Sequence, residues 1–195
     1  MSVCIDKLSH SCGSKKGLQV FANEETGEVN GFCFSCSTYV RHPYGDEVTA
    51  DEVELPEPKT QAQIEAEVAI VDSLPCVKVP SRKLRADSLE EFGVKIALSE
   101  SDGKTPALMY HPIYKKDELT GYYVKALGEN NATWSIGDVK GGEPYGWQQA
   151  KRSGAYKLII VEGKEDAVAT RQIFNRHGDE KFRPAIIALL NGTNS

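Results

Sequence analysis

The chain has 195 residues, of which 40% are apolar, and a formal net charge of −5. This length predicts one or two domains, and no stretch approaches the roughly 18 apolar residues that a membrane-spanning helix needs. The N-terminus, Met1 to Lys7, lacks the basic-then-apolar order of a signal peptide, so we expect a cytoplasmic protein with no membrane partner. Five cysteines, an odd number, favour reduced thiols or metal ligands over a disulfide framework.

The first block, residues 1–45, holds four of the five cysteines. Cys33 and Cys36 form a C-x-x-C knuckle, and Cys12 supplies a third thiol upstream. Between them, residues 18–21 and 29–34 are predicted to form a β-hairpin around a polar turn, which is typical of zinc ribbons. We therefore predict a zinc-ribbon domain over residues 1–45.

Zinc prefers four tetrahedral nitrogen or sulfur ligands, so Cys12, Cys33 and Cys36 need a fourth. His10 is the first choice, Cys4 the second and His42 the third. A redox pair at the C-x-x-C is the alternative, but such a pair should open a helix in a βαβ unit, whereas this one lies among β-type aromatic residues. The fifth thiol, Cys76, is isolated and is expected to be a small buried apolar residue.

The second block, residues 46–72, carries nine acids against one base, so the rest of the chain sums to +3. The block has two prolines and no aromatic residue, which predicts an acidic flexible linker, with a helical turn or two from Gln61 to Val71. Because the negative charge is concentrated there, the net charge does not exclude a nucleic-acid partner.

The third block begins with a predicted subdomain over residues 73–154. A short helix is predicted over residues 81–93, with Asp87 or Ser88 as a cap and Gly93 as its end. Residues 107–114 and 121–127 are predicted to form a β-hairpin, and the Gly- and Asn-rich residues 129–154 to be mostly loop. His111, in the first of these strands, is expected to pack or to lie at the surface.

Residues 155–195 are predicted to form a strand at 156–161, a helix at 164–176 and a strand at 184–190. The segment that links the two predicted strands contains a helix, and a link of this length implies that the strands pair in parallel through a right-handed crossover. Ala167, Ala169, Ile173 and Phe174 are expected to form the apolar face of the helix. The predicted fold class is therefore mixed α/β: a small zinc ribbon, then an α/β domain that ends in a partial βαβ unit.

The turn after the first of these strands carries the acidic residues of the block. Glu162 lies at the carboxyl end of the strand, where open parallel sheets bind ligands, and Gly163 allows the tight exit. Asp166 lies in the first helical turn, where it could hold a cation or simply complement the positive helix end. Glu165 is expected to face solvent. Two acids and a glycine at this turn suit a divalent cation near phosphates.

Three stretches taken together resemble the primase half of the primase-helicases of tailed bacteriophages: Cys12-Gly-Ser to Gly31-Phe-Cys-Phe-Ser-Cys36, Met109-Tyr to Tyr123-Val-Lys-Ala-Leu127, and Ile160-Val-Glu-Gly-Lys-Glu-Asp-Ala167. The resemblance implies a zinc-binding domain, a linker and an RNA-polymerase domain with a TOPRIM core. It also implies a DNA primase that makes short RNA primers from ribonucleoside triphosphates on a single-stranded DNA template, with structural Zn²⁺ and catalytic Mg²⁺ or Mn²⁺. A replicative helicase, in cis or in trans, and a DNA polymerase would be its partners in the host cytoplasm.

The resemblance also implies residue roles. Cys12, Cys33 and Cys36 fall on the zinc-ligand pattern of the ribbon that helps to recognise the template. Glu162 matches a metal ligand or acid–base group, Gly163 and Asp166 match the rest of its motif, and Lys125 matches a lysine that faces nucleotide or template. Five further residues are candidates for contacts with a nucleic-acid strand because they are basic or aromatic: Arg82, Lys83, Arg85, Lys104 and Trp134. Trp134 and Trp147 are more typical of loop anchors than of stacking platforms.

One element of the TOPRIM pattern is missing from the sequence. No Asp-x-Asp pair follows Glu162, and no helicase P-loop is present within the 195 residues. A two-metal site needs several carboxylates, so we expect the site in this chain to be incomplete. The alternative is therefore a catalytically incomplete DNA-binding or replisome accessory module derived from such a primase. A TOPRIM nuclease, a third option, would need the same acids.

Overall fold

A computed structural model describes residues 2–23, 26–45, 59–128 and 132–190. The chain divides into two compact units, which we call unit 1 (Met1–Pro58) and unit 2 (Lys59–Ser195). The first part of the predicted linker, residues 46–58, lies outside the described residues. No helix in the described part of the chain is both long and apolar enough to cross a membrane.

Unit 1 contains a four-stranded antiparallel sheet whose strands follow one another in sequence order. The strands are β1 (Ser2–Leu8), β2 (Leu18–Asn23), β3 (Val29–Cys33) and β4 (Thr38–Val40). The predicted hairpin is confirmed as β2 and β3, which pair from Leu18 opposite Cys33 to Ala22 opposite Val29. The strands β1 and β4 were not predicted from the sequence. Alternate residues of β2 point inward, so Leu18, Val20 and Ala22 are buried on one face.

Unit 2 begins with helix α1 (Gln61–Asp72). Thr60 and Gln63 form a capping box, in which each side chain bonds the backbone N–H of the other residue. Val71 is buried in a cluster with Tyr110, Tyr122 and Val124. The second half of the predicted linker is therefore a helix of three turns that packs on the domain, because its cap and its inward Val71 outweigh the acidic composition.

A second antiparallel sheet follows, with its strands again in sequence order. They are β5 (Lys95–Leu98), β6 (Pro106–Lys115), β7 (Glu118–Ala126) and β8 (Thr133–Gly137). The predicted hairpin is confirmed as β6 and β7. Helix α2 (Ala86–Glu91) precedes the sheet and is shorter than predicted, because a separate 3₁₀ turn covers Pro80–Arg82 and Lys83 is left-handed. Arg85, rather than Asp87 or Ser88, occupies the N-cap position.

The prediction that residues 129–154 are mostly loop was wrong at two places. β8 pairs with β7 at the edge of the sheet, and helix α3 covers Trp147–Ser153. Gly146 and Gly154 flank α3 in left-handed conformations, with φ of 83° and 61°. A Cβ on Gly146 would lie 2.6 Å from the carbonyl oxygen of Ile186, so this turn needs glycine both for its φ and for its close approach.

The predicted strand–helix–strand unit is confirmed as β9 (Leu158–Val161), α4 (Lys164–His177) and β10 (Ala185–Ala188). β9 and β10 are parallel, with Leu158 opposite Ala185. The buried face of α4 carries Ala167, Val168 and Arg171. Ile173, predicted to lie on this face, is 60% exposed, because it lies two positions past Arg171 and therefore on another side of the helix.

The main core of unit 2 joins α2, β5, β6, α4 and β10. Its buried members include Leu89, Phe92, Ile96, Met109, Val168 and Ile186. Phe92 stacks on Tyr145 with ring centroids 5.2 Å apart. The chain therefore has the predicted mixed α/β class, with antiparallel sheets in both units and a short parallel sheet at the end.

Candidate metal centre and the cleft beside helix α4

The strongest candidate site is a cluster of one histidine and three cysteines in unit 1. The ligand atoms of His10, Cys12, Cys33 and Cys36 all lie within 4.8 Å of one another. The sulfurs of Cys12 and Cys33 are 3.7 Å apart, and Nδ1 of His10 lies 3.4 Å from the sulfur of Cys36. The four side chains predicted as the preferred ligand set therefore converge on one point.

Two tight turns present these ligands. In the first, the N–H of His10 donates to the carbonyl of Ser14, and the N–H of Gly13 donates to the carbonyl of His10. In the second, Cys33 ends β3 and the chain turns back to β4. The N–H of Phe34 donates to the carbonyl of Gly17 across the two turns. The turns approach so closely that a Cβ on Gly17 would lie 2.3 Å from Oγ of Ser14.

The distances fit a tetrahedral zinc ion. With Zn–S near 2.3 Å and Zn–N near 2.0–2.1 Å, tetrahedral geometry places two sulfurs about 3.8 Å apart and a nitrogen about 3.5 Å from a sulfur. Burial of Cys33 opposes ionisation, but hydrogen bonds from the backbone of Cys36 and Ser35 lower the pKa of its thiol. These N–H groups favour the thiolate that a metal requires. The cluster could therefore hold a metal ion such as zinc.

The alternative ligands Cys4 and His42 do not belong to this cluster. Cys4 is exposed, and its thiol faces the carbonyl of Asp6 at 3.6 Å and the side chain of Gln19 at 3.8 Å. Among the described residues, the cluster is the one place where three or more His, Cys, Asp or Glu side chains are grouped closely enough to hold a metal ion.

The acidic turn at the start of α4 has a different geometry. Glu162 is exposed directly after β9. The carboxylate of Asp166 accepts a hydrogen bond from the backbone N–H of Gly163 at 3.2 Å. Asp166 thus satisfies one of the free N–H groups at the helix start and adds negative charge where the helix dipole favours it. Among the described residues, these two acids belong to no group of three or more side chains that could hold a metal ion, so this part of the chain does not supply the several carboxylates of a two-metal site.

A cleft of about 450 Å³ opens between β6, β7 and the start of α4. Its polar lining comprises His111, Tyr123, Lys125, Thr133, Lys164 and Glu165. Nζ of Lys164 lies 4.0 Å from the centre of the Tyr123 ring and donates to the carbonyl of Leu190 at 2.7 Å. Two lysines therefore face one cleft that also borders the Glu162 turn.

Lys125, predicted to face nucleotide or template, lines this cleft, but its ammonium is paired with Glu165. The expectation that Glu165 faces solvent was wrong. It is half-buried, and its second oxygen lies 3.7 Å from Nε of Arg82. The reason is tertiary: β7 brings Lys125 against the helix that carries Glu165, a contact between residues 40 positions apart.

Burial lowers the pKa values of two basic groups that line the cleft. His111 is buried, and its Nδ1 lies 3.0 Å from the hydroxyl of Tyr145. Burial, together with the charges of Lys164 and Lys125, lowers the pKa of His111 to about 3. Burial lowers the pKa of Lys164 to about 8. His111 is thus a neutral member of the cleft wall, and Lys164 carries much of its charge at neutral pH.

The other predicted contacts are dispersed. Arg85 pairs with Asp87 at 3.0 Å, Lys104 is exposed on the turn between β5 and β6, and Trp134 is exposed on β8. Trp147 is half-buried at the start of α3, as a loop anchor would be. Lys164 was not predicted from the sequence as a site residue, although its place directly after Glu162-Gly163 put it beside the site.

Comparisons with known proteins return no match. No protein-family model matches the chain, and neither the curated proteins nor the solved structures include a significantly similar one.

Proposed function

We propose that this chain is a primase-type protein that binds single-stranded DNA template through a zinc-bound ribbon and makes short RNA primers in unit 2. The single observation that carries the proposal is the convergence of His10, Cys12, Cys33 and Cys36. A ligand cluster on a small antiparallel sheet is the geometry of a zinc ribbon, and the residues around it suit nucleic acid.

Aromatic and basic side chains surround the cluster. Phe34, between the two cysteines of the knuckle, is 59% exposed and packs edge-on against Phe32 at 4.9 Å. Tyr39 on β4 is also exposed, and Lys15 and Lys16 are exposed in the other knuckle. Exposed rings offer stacking surfaces for unpaired bases, and neighbouring lysines attract the phosphates between them. This combination supports single-stranded DNA as the partner.

The cleft in unit 2 supports the synthetic half of the proposal. Lys125 and Lys164 would neutralise the phosphates of ribonucleoside triphosphates. Glu162 and Asp166 would share a Mg²⁺ or Mn²⁺ ion with those phosphates, because Mg²⁺ is commonly held by one or two carboxylates plus substrate oxygens. A replicative helicase and a DNA polymerase are the proposed partners of such a protein in the host cytoplasm.

A second candidate function is a DNA-binding or replisome accessory module that does not synthesise primers. It is favoured by the acidic turn, because among the described residues Glu162 and Asp166 belong to no group of three or more side chains that could hold a metal ion. Both candidates share the zinc ribbon and the DNA partner, and they differ in the chemistry of unit 2.

A binding assay tests the shared part. The anisotropy of a labelled single-stranded oligonucleotide is measured with zinc-loaded protein, with chelated protein and with Cys12→Ser, Cys4→Ser serving as the matched control. We expect chelation and Cys12→Ser to weaken binding at least tenfold and Cys4→Ser to leave it unchanged, since Cys4 lies outside the cluster. Equal binding by all four samples would overturn the role of the ribbon.

A template-dependent synthesis assay with labelled ribonucleotides and Mg²⁺ then separates the two candidates. Primase activity predicts oligoribonucleotide products that Glu162→Gln abolishes, whereas Glu100→Gln, an exposed acid outside the cleft, leaves them intact. The absence of products, with DNA binding retained, would support the accessory module instead.

A further inference from the structure

A second cleft in unit 2 lies at the opposite ends of the parallel strands from Glu162. It has a volume of about 370 Å³, and we call it the arginine cleft. Its charged lining consists of Arg152, Arg171, Lys181, Arg183, Glu91 and Glu180. The cations come from four places in the chain: the end of α3, the middle of α4, the 3₁₀ turn at Glu180–Phe182 and the residue after it. The fold thus gathers four basic side chains around one opening.

The positive charge of this cleft is not balanced by its own acids. Four cations face two carboxylates, and Glu91 is already occupied. It pairs with Nε of Arg171 at 3.2 Å and accepts a hydrogen bond from Nδ2 of Asn175 at 2.5 Å. Arg171 is the buried member of this pair and Glu91 is exposed. Because the carboxylate of Glu91 is engaged by Arg171, Glu180 is the acid of the lining that is left opposite Arg152, Lys181 and Arg183.

Arg171 and Arg183 lie close enough to affect each other. Arg171 is 7% exposed, and burial together with the charge of Arg183 lowers the pKa of its guanidinium. Nε of Arg183 is buried and has no hydrogen-bond partner within the described part of the chain. Two neighbouring guanidinium groups repel each other. An anion that bridges them offsets this repulsion and can accept a hydrogen bond from a donor that is otherwise unused. Phosphate oxygens match the forked donors of arginine.

An aromatic side chain completes the lining. Tyr156, two residues before β9, lines the cleft and is fully exposed. Phe182, beside Lys181 and Arg183 in the sequence, is 70% exposed. A simple inorganic anion has no use for exposed rings, whereas a single-stranded nucleic acid alternates phosphates with flat bases that stack on them.

We propose that the arginine cleft binds the phosphate backbone of a single-stranded nucleic acid and that a base stacks on Tyr156. This contact extends the proposed function to a second surface, but it needs neither the zinc centre nor Glu162. Glu162 follows the carboxyl end of β9, and Tyr156 precedes its amino end. One strand of nucleic acid that passes the acidic turn could therefore continue past the sheet to this cleft.

The experiment uses the full chain and a labelled oligothymidylate. Arg152→Glu combined with Lys181→Glu removes two exposed cations of the cleft, and Lys78→Glu with Lys140→Glu makes the same charge change at exposed lysines outside its lining. We expect the first pair to weaken binding at least tenfold and to reduce the salt dependence by roughly 1.4, because each single-strand phosphate contact contributes about 0.7 to the slope. We expect the control pair to change affinity less than threefold.

Tyr156 provides a test that does not depend on charge. Tyr156→Ser should weaken binding about fivefold or more, and Tyr156→Phe should restore it, because stacking needs the ring and not the hydroxyl. Photo-crosslinking of a bromouracil oligonucleotide, followed by mass spectrometry, should label Tyr156. Since its side chain is fully exposed, these substitutions leave the fold intact, as thermal unfolding will check.

Other outcomes would overturn the inference. If both charge pairs weaken binding equally and Tyr156 is not labelled, the cleft does not contact the oligonucleotide. If the cleft variants lose ATP or inorganic phosphate binding but keep oligonucleotide binding, it is a small-anion site instead. Chelated protein separates this result from the proposed function. If the cleft variants still weaken binding after zinc has been removed, the result supports the arginine cleft and not the ribbon. If removal of zinc abolishes binding and the cleft variants have no effect on the zinc-loaded protein, the result supports the ribbon and not the cleft.

Discussion

The two units of this chain are built on different principles. In unit 1, the buried apolar side chains among the described residues are Leu18, Val20, Ala22 and Cys33, and the last of these belongs to the candidate metal-binding cluster. In unit 2, α2, β5, β6, α4 and β10 share a core that buries Leu89, Phe92 and ten other side chains. A domain as small as unit 1 rarely folds on a core of four buried side chains alone.

From this difference we predict that the fold of unit 1 depends on metal and that the fold of unit 2 depends on packing. A structural zinc site contributes about 10–16 kcal/mol in small zinc-binding peptides, which exceeds anything that three buried aliphatic side chains can supply. Unit 2 should therefore remain folded under conditions that unfold unit 1. The sequence provides a convenient reporter, because both tryptophans, Trp134 and Trp147, lie in unit 2.

The largest expected effect follows from metal removal. Chelation should unfold unit 1, since the ligands then repel or pack poorly and the core is too small. Limited proteolysis should cut within residues 1–45, while tryptophan emission and its thermal transition stay unchanged. Cys33→Ser should reproduce this result and lower zinc affinity more than 100-fold, beyond the 10–100-fold cost of losing a mere supporting contact.

Cys76→Ser is the matched control, because Cys76 lies in unit 2 and outside the cluster. It should leave zinc affinity and the proteolysis pattern of unit 1 unchanged. If chelated unit 1 resists proteolysis as well as the loaded protein does, its fold does not depend on metal.

The second-largest effect is expected for substitutions in the core of unit 2, which should change its stability without changing zinc binding. Leu89 is fully buried, so Leu89→Ala should lower the free energy of unfolding of unit 2 by about 2–5 kcal/mol. Ile173→Ala, at a side chain that is 60% exposed, should cost less than about 1 kcal/mol. Denaturant unfolding followed by tryptophan emission measures both, and zinc binding should be the same in both variants. A loss of zinc affinity in Leu89→Ala would show that the two units are not independent.

The sequence revealed the elements that local patterns determine. The hairpin of β6 and β7 and the parallel pair of β9 and β10 follow from runs of apolar residues separated by polar turns, and both are confirmed. Helix α3 was missed because it is short and lies in a glycine-rich stretch. Its signal was present, since Lys151 and Arg152 in a last turn before Gly154 are typical of a helix end.

The third effect is a pH dependence confined to unit 2. The native pKa of His111 is about 3, below its unfolded value of about 6.5, so the unfolded chain binds the proton more readily. Stability from this group is complete above pH 6.5 and falls as the pH drops toward 3, with a slope of at most about 1.4 kcal/mol per pH unit. His111→Gln, which can still bond Tyr145, should flatten that slope in thermal unfolding followed by tryptophan. An unchanged slope would mean that other groups cause it.

The smallest effect concerns the cleft beside α4. Glu165→Gln removes the carboxylate that neutralises Lys125. We expect affinity for ATP to rise on the order of fivefold, equivalent to about 1 kcal/mol for a pair of this exposure. Glu100→Gln, an exposed acid outside the cleft, should leave ATP affinity unchanged. Titration calorimetry measures both, and a decrease for Glu165→Gln would place the carboxylate among the ligands of the nucleotide.

The candidate sites differ in how far the sequence predicted them. Cysteine spacing was sufficient to predict the cluster, because ligand type and a predicted hairpin limit the geometry, and His10 was preferred to Cys4. The cleft was not predictable in the same way. Lys125 meets Glu165 across 40 positions, and Arg171 meets Glu91 across 80, and contacts between such distant residues depend on packing that no local pattern records.

X-ray absorption at the zinc edge identifies the atoms that bind the metal in unit 1. We expect one zinc per chain with three sulfur neighbours near 2.3 Å and one nitrogen near 2.0–2.1 Å, from Cys12, Cys33, Cys36 and His10. Cys4→Ser should leave this spectrum unchanged, and His10→Ala should remove the nitrogen. Four sulfur neighbours, a spectrum altered by Cys4→Ser, or protein that holds no zinc would contradict this ligand assignment.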